Sequence, residues 1–318
     1  MNTLPPPDVI TLGEAMALLI PTEPGPLESA TRFERGTAGA ETNVAIGLAR
    51  LGLRVGWISQ LGDDALGRHL LATMRQEGID CSHVNVDAAA RTGLMFKEHV
   101  VDGRDARTEY HRQGSAASRL RAEQLDEAWM CSARHLHATG IFPALSPSCD
   151  EAAEQAIRLM RAAGRTVSFD PNLRPALWPS KEAMVRRVNV LASGCDWVLP
   201  GVDEGELLCG SRDPASIARF YLDRGVRLVV VKLGAEGAYW SDGSASGRVP
   251  GVRVDRVVDT VGAGDGFAVG LISGLLQGLP IEDSVRRGAW IGARAVQVRG
   301  DTEGLPTAAD LAAAGVPG

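Results

Sequence analysis

Apolar positions along this chain follow two alternating patterns. Short apolar runs, such as residues 54–62, are followed by stretches with helical spacing, such as residues 65–78. The run at residues 226–234 is apolar throughout its centre, which is typical of a strand buried on both faces. Strand and helix in repeated alternation predict a mostly parallel sheet with crossover helices on both faces. We therefore predict a doubly wound α/β fold that occupies residues 1–318 as a single domain.

The alternation is interrupted between residues 91 and 118. Two segments there, TGLMFKEHVV and RTEYHR, have alternating apolar character around the turn DGRD at residues 102–105. We interpret them as a hairpin that joins residues 15–37 in a small β-sheet projecting from the main body. Such an insertion is either a surface excursion or a lid, and long insertions in α/β enzymes often cover sites. The lid segments are predicted at residues 15–37 and 91–118.

Composition narrows the class of protein. The chain has 318 residues, is 45% hydrophobic and carries a formal net charge of −6, which argues against nucleic acid as its main partner. Its five cysteines include no C-x-x-C pair, as expected for reduced thiols in a cytosolic protein. The first residues lack the pattern of a signal peptide, and no apolar run reaches the roughly 20 residues that cross a bilayer. We expect a cytoplasmic protein with no membrane partner.

Candidate chemistry is concentrated in a glycine-rich turn near the C-terminus. The sequence VVDTVGAGDGFAVGLISGLLQG predicts an extended segment, a turn over Gly262, Ala263, Gly264 and Asp265, and then a helix. Free backbone amides and the positive end of a helix dipole make such a turn an anion site. A carboxylate repels a phosphate, so Asp265 is better suited to accept a proton beside the anion. Glycine turns often only connect a strand to a helix, without a role in binding. Phe267 excludes a G-x-G-x-x-G dinucleotide fingerprint, and no Walker A sequence occurs.

The run DTVGAGDGF resembles the second signature of the ribokinase-like (PfkB) family of sugar kinases. The resemblance implies a ribokinase-like fold, ATP and Mg²⁺ as cofactors, an anion hole formed by the amides of the turn, and Asp265 as the catalytic base. The segment GTAGAETN resembles the first signature of that family, with Ala38 and Gly39 in place of the usual two glycines. There the resemblance implies that Gly39 and Asn43 contact sugar hydroxyls, although Asn43 at a helix start could equally be structural.

Two further segments resemble the nucleotide site of the same family. The segment VVVKLGAEG lies near the ATP phosphates in that family, which implies that Lys232, Gly234 and Gly237 bind ATP. Gly264 of the glycine turn is assigned to ATP binding by the same resemblance. The segment LPGVDEGELLCG resembles the N-x-x-E motif, whose Glu is tied through water to the Mg²⁺ and phosphate network. Glu204 occupies that position, but Gly201 stands where Asn is usual.

Other segments resemble the 2-keto-3-deoxygluconate kinases of this family. TEYHRQGSAAS is similar to their Y-x-R-x-x-SAAS pattern, GDTEGLP to their GD-x-EG-x-P, and FDPNLRPALW to the matching segment of these enzymes and of fructokinases. The resemblance implies that Arg112 and Arg174 hold the substrate carboxylate, and that Tyr110 and Asp301 contact the sugar-acid chain. A charge argument agrees, because a neutral sugar would leave both guanidinium groups unpaired. Met95 is a departure, since an aromatic or polar group can line the pocket there.

The histidines give weaker evidence about function than these segments do. His135 and His137 share one face of a predicted strand and could bind a metal. No third ligand is apparent nearby in the sequence, so packing or hydrogen bonding is the preferred interpretation. No nucleophile elbow indicates a Ser-His-Asp arrangement.

The resemblance therefore implies an ATP-dependent kinase that phosphorylates 2-keto-3-deoxygluconate on its terminal hydroxyl, O6. Fructokinase, or another neutral-sugar kinase of the family, is the alternative within the class. A non-catalytic sugar-binding regulator is the alternative from another class, and a nicotinamide oxidoreductase is more distant because its fingerprint is absent. The resemblance leaves a monovalent cation open as a further cofactor and implies a homo-oligomer assembled through the lid.

Overall fold

Strands and helices alternate along most of the chain in the computed structural model, which describes residues 5–101 and 106–316. Within those residues the strands are, in chain order, β1 (Val9–Leu12), β2 (Met16–Pro21), β3 (Phe33–Ala38), β4 (Val55–Gly62), β5 (Val84–Asp87), β6 (Gly93–Lys97), β7 (Thr108–His111), β8 (His135–Thr139), β9 (Thr166–Asp170), β10 (Trp197–Val198), β11 (Leu228–Lys232), β12 (Gly237–Ser241) and β13 (Ser246–Pro250). The helices are α1 (Ala40–Arg50), α2 (Ala65–Gln76), α3 (Glu127–Ser132), α4 (Pro147–Ala162), α5 (Lys181–Ser193), α6 (Val202–Cys209), α7 (Pro214–Leu222), α8 (Ala263–Leu276), α9 (Ile281–Ala295) and α10 (Ala308–Ala313).

The larger sheet has the strand order β13-β12-β11-β10-β9-β8-β1-β4-β5. Neighbouring strands from β11 to β5 are parallel, and β12 and β13 extend one edge as an antiparallel hairpin. The chain builds the sheet outward from β1 in both directions, so the order reverses beside β1. In such a sheet ligands bind outside the carboxyl ends of the strands. The predicted doubly wound, mostly parallel α/β fold is confirmed.

Helices cover both faces of this sheet, as β11 illustrates. Val229 and Val231 are fully buried on one face, in a cluster with Ile217 of α7. Val230 is fully buried on the other face, in a cluster with Val269 of α8. Because successive side chains of a strand point to opposite faces, a run of valines in this position requires helices on both sides.

A smaller, separate sheet has the order β3-β2-β6-β7. Strand β2 pairs with β3 antiparallel and with β6 parallel, and β6 pairs with β7 antiparallel. The segments predicted at residues 15–37 and 91–118 therefore do meet in one small sheet. The predicted turn DGRD lies outside the described residues. The small sheet's action as a lid stays a prediction.

A contact with Val296 sets the boundaries of two segments. The apolar segment before the glycine turn joins neither sheet, because the amides of Val258 and Asp259 donate instead to the Val296 carbonyl (2.7 and 3.2 Å). The last long helix, α9, runs from Ile281 to Ala295. The chain leaves the helix where the Val296 carbonyl accepts these two distant amides rather than a helical one. A contact between segments far apart in sequence thus sets both boundaries.

Candidate functional site

A polar cavity of about 360 Å³ lies at the carboxyl ends of the parallel strands, where the small sheet meets the main sheet. Among the residues that line it are eleven of the predicted site residues: Gly39, Asn43, Tyr110, Arg112, Arg174, Glu204, Lys232, Gly262, Gly264, Asp265 and Asp301. These residues come from segments spread over most of the chain. The structure therefore brings the predicted sugar-binding and catalytic residues to one place.

An apolar cavity of about 370 Å³ adjoins the polar cavity, and Lys232, Thr260 and Gly264 line both. The rest of its wall is mostly aliphatic, with valines from the segment after β13 and small residues from α9. The other residues predicted to bind nucleotide, Gly234 and Gly237, also line it, as does Ala263 of the turn. Among the described lining residues, Lys232 carries the single ionisable side chain.

The glycine turn separates the two cavities and has the shape of an anion site. Gly262 has φ +81°, and a Cβ there would lie 2.8 Å from the Asp301 carbonyl oxygen, so this position favours glycine twice over. The first helical bond of α8 runs from the Gly266 amide to the Gly262 carbonyl (2.8 Å). The amides of Ala263, Gly264 and Asp265 precede that bond and have no acceptor within the helix. They are available to an anion at the junction of the cavities.

Asp265 is buried at this helix start and faces the polar cavity. Its Oδ2 accepts a hydrogen bond from Asn43 Nδ2 at 2.7 Å, so Asn43 contacts the predicted base directly. Burial raises the pKa of Asp265 to about 7, and the carboxylates of Asp170 and Asp301 contribute in the same direction against the Asn43 hydrogen bond. A carboxyl group with a pKa of about 7 can take up and release a proton at neutral pH.

Lys232, at the end of β11, points towards the junction and pairs with Asp170, at the end of β9 (2.5 Å). Burial on its own would lower the pKa of the Lys232 ammonium, but Asp170 and Glu204 outweigh it and raise the pKa. The side chain therefore stays charged. It supplies a fixed positive charge beside Gly264, where a Cβ would lie 3.6 Å from Lys232 Nζ.

Glu204 lies in the first turn of α6 and is held by two backbone amides. Its Oε2 accepts from the Gly201 amide (2.7 Å) and its Oε1 from the Leu173 amide (2.9 Å). Burial, followed by the Asp170 carboxylate, raises the pKa of Glu204, while Lys232 opposes the change. The substitution of Gly201 for the usual Asn leaves this arrangement intact, because the contact uses the main chain. Both carboxylate oxygens are already engaged, which suits a contact with a metal ion through water.

The two arginines differ in a way that the charge argument from the sequence did not foresee. Arg112 is buried and pairs with Glu14 at 2.5 Å, so the expectation that both guanidinium groups lack a carboxylate partner is wrong for Arg112. It also lies near the Tyr110 ring, 5.8 Å from its centroid. Arg174 is half-buried, and its recorded hydrogen bonds go to the carbonyls of Asn172 and Leu173 within its own turn. Arg174 therefore keeps a positive charge available to a ligand.

Four charged residues of the polar cavity were missed by the sequence analysis: Glu14, Glu41, Lys97 and Asp170. Glu41 lies inside the quoted segment GTAGAETN, and its Oε1 accepts from the Thr139 hydroxyl (2.6 Å). Burial raises the pKa of Glu41 to about 7. Lys97 ends β6 and pairs with Asp259 and Asp301. Glu41 and Asp170 lie within quoted site segments, which offered a signal, whereas alternation marks Lys97 as part of a strand but not as buried.

The histidine pair has partners of its own. His135 Nε2 and His137 Nδ1 each lie 2.8 Å from the Ser168 hydroxyl, and His135 Nδ1 lies 2.8 Å from the Thr166 hydroxyl. Hydrogen bonding, the role preferred from the sequence, is what the structure shows. Within the described part of the chain, no group of three or more His, Cys, Asp or Glu side chains is arranged to hold a metal ion. None of the described helices is long and apolar enough to cross a membrane.

Comparison with known families agrees with this geometry. Residues 6–308 match the pfkB family carbohydrate kinases, and the chain belongs to that family. It is 49% identical over 306 residues to a 2-dehydro-3-deoxygluconokinase of Bacillus subtilis (strain 168), covering 96% of this chain and 94% of that protein. It is 39% identical over 304 residues to a 2-dehydro-3-deoxygluconokinase of Thermoproteus tenax, covering 94% and 91% of the two chains.

Solved structures show the same fold. A PfkB protein from Polaromonas sp. JS666 is 60% identical, with a TM-score of 0.90 over 96% of this chain and 99% of that one. A fructokinase from Xylella fastidiosa with bound ATP is 27% identical, with a TM-score of 0.85 over 96% and 97%. A fructokinase double mutant from Vibrio cholerae O395, in a form with fructose, ADP and potassium ion bound, is 28% identical, with a TM-score of 0.84 over 98% and 99%.

Proposed function

We propose that this protein transfers the γ-phosphoryl group of ATP to the terminal hydroxyl, O6, of 2-keto-3-deoxygluconate. This sugar acid is the 2-dehydro-3-deoxygluconate in the names of the two relatives. The observation that carries the proposal is the polar cavity, in which Asp265 lies at a helix start together with Arg174 and the Arg112–Glu14 pair. The product is 2-keto-3-deoxy-6-phosphogluconate.

Asp265 acts as the base. With a pKa of about 7, raised by burial, it can accept the proton of the O6 hydroxyl as that oxygen attacks the phosphorus atom. Asn43 holds the carboxylate through Oδ2, which leaves Oδ1 for the substrate hydroxyl. The amides of Ala263, Gly264 and Asp265 stabilise negative charge on the transferred group, with Gly262 shaping the turn. Positioning and electrostatics of this kind account for most of the rate enhancement in phosphoryl transfer.

The nucleotide suits the apolar cavity. An aliphatic wall accepts a flat base, while Gly234, Gly237 and Gly264 allow the backbone to approach the phosphates. Lys232 supplies the positive charge at the junction of the cavities. Mg²⁺ bound to ATP would neutralise phosphate charge, and Glu204 is placed to contact it through water. A monovalent cation remains a further proposal, drawn from the potassium ion in the fructokinase relative.

The sugar acid suits the polar cavity. Arg174, whose recorded partners are carbonyls, is the first contact for the carboxylate, and Arg112 is the second. Tyr110 and Asp301 line the path of the carbon chain. The Gly39 backbone, with φ +149°, lies so close to the Glu14 carbonyl oxygen that a Cβ would clash with it, and without a side chain Gly39 lines the polar cavity with its backbone.

The chain is proposed to form one kinase domain, in which the small sheet closes over the bound sugar acid. A second copy of the chain is proposed to bind through the same small sheet. The support is that β6 and β7 supply Met95, Lys97, Tyr110 and the adjoining Arg112 to the cavity wall. If the small sheet is a lid, adding the sugar acid should slow its backbone hydrogen exchange more than that of the core helices. Equal exchange with and without the sugar acid would leave a surface hairpin.

One observation favours the alternative of a neutral-sugar kinase. Glu14 already neutralises Arg112, so the cavity holds one fewer available positive charge than the sequence suggested. A substrate panel with ATP decides between the two. Ketodeoxygluconate, ketodeoxygalactonate, fructose, ribose and adenosine are supplied in turn, and ADP release is measured. The proposal expects the highest kcat/KM with ketodeoxygluconate. A higher value with fructose would replace it by a fructokinase, and no turnover with any of them would favour a non-catalytic regulator.

A further inference from the structure

Lys97 is a buried charge to which the proposed reaction assigns no role. It is the last residue of β6 in the small sheet, and its side chain is 2% exposed. Removing an ammonium group from water is costly unless carboxylates and hydrogen bonds compensate it. Such a residue therefore needs partners, and their positions indicate what the charge holds together.

The partners of Lys97 are two carboxylates from the C-terminal part of the chain. Lys97 Nζ donates to Asp259, and it lies 3.4 Å from Asp301 Oδ1. The side chains of Asp259 and Asp301 are 9% and 4% exposed. They lie 162 and 204 residues from Lys97 in sequence. One ammonium group thus fastens the small sheet to two separate segments.

Both segments shape the glycine turn. Asp259 Oδ2 accepts a hydrogen bond from the Lys97 ammonium, while Asp259 Oδ1 accepts from the Val261 amide at 3.1 Å. Val261 is the residue before the glycine turn. Asp301 packs its main chain against the other side, since a Cβ on Gly262 would lie 2.8 Å from the Asp301 carbonyl oxygen. The two acids therefore support Gly262 from both directions, and Lys97 joins them.

We propose that Lys97 is a positioning residue for the glycine turn: its ammonium holds Asp259 and Asp301 on either side of Gly262. The small sheet, by delivering Lys97, completes the anion-binding shape of the turn. The effect on turnover rests on the proposed function, whereas the effect on the shape of the turn does not. Without Lys97, two buried carboxylates would face each other unneutralised, and the segment from Val258 to Gly264 would loosen.

Direct contact with the sugar is the rival role, because Lys97 also lines the polar cavity. The two roles differ when no sugar is present. A residue that binds sugar affects only reactions that use sugar, and its loss raises KM for the sugar. A residue that holds the turn affects phosphoryl transfer to water as well, and its loss changes the turn in the free protein.

The test compares Lys97→Met, which keeps the length of the side chain and removes the charge, with Lys181→Met at the exposed start of α5 as the matched control. Backbone hydrogen exchange is measured on the free proteins. The amides of Val258, Asp259, Val261 and Gly266, hydrogen-bonded in the wild type, should exchange on the order of tenfold faster in Lys97→Met. Exchange in β11 should be unchanged, and Lys181→Met should match the wild type.

Kinetics give the second readout. ATP hydrolysis without sugar and sugar phosphorylation should both fall, each on the order of ten- to a hundredfold, while KM for the sugar changes little. Lys97→Arg, which keeps a positive charge, should restore part of both. If Lys97→Met does not fold, Asp259→Asn breaks the same contact from the other side and should loosen the same amides.

Three results would overturn the proposal. Unchanged exchange at the turn would show that Lys97 does not hold it. Faster exchange throughout the chain would show a general contribution to stability. A raised KM for sugar with normal ATP hydrolysis would make Lys97 a sugar ligand. If the wild-type protein phosphorylates no sugar, the proposed function fails, and the exchange comparison still decides the role of Lys97.

Discussion

The two cavities are nearly equal in volume and opposite in chemistry. The polar cavity is walled by buried acids and bases, including Asp265, Lys97 and Arg112, while Lys232 is the single ionisable side chain among the described residues lining the apolar cavity. Burying so many ionisable groups is costly to stability. The polar cavity is therefore suited to proton transfer and to a charged ligand. The apolar cavity is suited to binding a flat ring.

The contrast between the cavities also assigns them different parts of the proposed reaction. Lys232, Thr260 and Gly264 line both cavities, so the glycine turn lies where the two cavities meet. A nucleotide base in one cavity and a sugar hydroxyl in the other would place the transferred group at the amides of that turn. Substitutions in the polar cavity should then alter chemistry and sugar binding, and substitutions in the apolar cavity should alter nucleotide binding alone.

The largest effect is expected from Asp265→Asn in the polar cavity. The amide keeps the shape of the side chain but cannot accept the hydroxyl proton, so kcat should fall by about 10²–10⁴. Dissociation constants for ATP and the sugar acid, measured by calorimetry, should stay close to those of the wild type. A variant that keeps most of its turnover would remove Asp265 from the role of base.

The second effect concerns pH. Asp265 is active as a base only when deprotonated, and burial raises its pKa to about 7. Below that pH, kcat/KM should therefore fall by about tenfold per pH unit, since this ratio reports the ionisation of the free enzyme. A pH profile measured between pH 5 and 9 at constant ionic strength checks the position of the limb.

Glu41 offers the control for the pH experiment, because burial raises its pKa to about 7 as well. It bonds to the Thr139 hydroxyl rather than to Asn43. Glu41→Gln should keep the acid limb of the profile. If the limb disappears in Glu41→Gln, the ionisation belongs to Glu41, and the assignment of the base through its pKa is wrong.

A smaller effect is expected in the apolar cavity. Ala293 of α9 lines it, and Ala293→Phe would fill part of the space proposed for the nucleotide base. We expect KM for ATP to rise about tenfold, which corresponds to about 1.4 kcal/mol, with KM for the sugar acid unchanged. Ala162→Phe, at the exposed end of α4, is the matched control. A change in sugar KM instead would mean that the cavities do not divide the substrates in this way.

Much of the fold and part of the site could be predicted because their signals are local. A run such as Val229 to Val231 carries its own burial pattern, and strand–helix alternation follows from it. The family resemblance grouped Gly234, Gly237 and Gly264 as nucleotide-binding residues, and all three line the apolar cavity. Their contact with a nucleotide stays a prediction. The glycine turn before α8 could be predicted because glycines and a following helical pattern are local signals, while its binding of an anion stays a prediction.

The charges of the polar cavity could not be paired from the sequence. Arg112 meets Glu14, and Lys97 meets Asp259 and Asp301, across long separations in the chain. Nothing near these residues in sequence indicates the partner, because the partner is set by how the two sheets meet. The same holds for Asn43, whose bond to Asp265 spans 222 residues. Electrostatic pairing is a property of the assembled cavity and not of any one segment.

Arg174 gives the most direct test of the central claim, that the polar cavity binds a sugar acid. Removing Arg112 would leave the buried Glu14 carboxylate without its ion-pair partner and would therefore affect the binding of any substrate. Arg174 donates instead to carbonyls of its own turn. The measurement is kcat/KM for ketodeoxygluconate and for fructose, in the wild type, in Arg174→Ala and in the exposed control Arg158→Ala. Because a charge-assisted hydrogen bond contributes roughly 1.5–3 kcal/mol, Arg174→Ala should lose about ten- to a hundredfold on the sugar acid. It should change little on fructose, and Arg158→Ala should change neither. Equal losses on both substrates, or a wild-type preference for fructose, would contradict the claim.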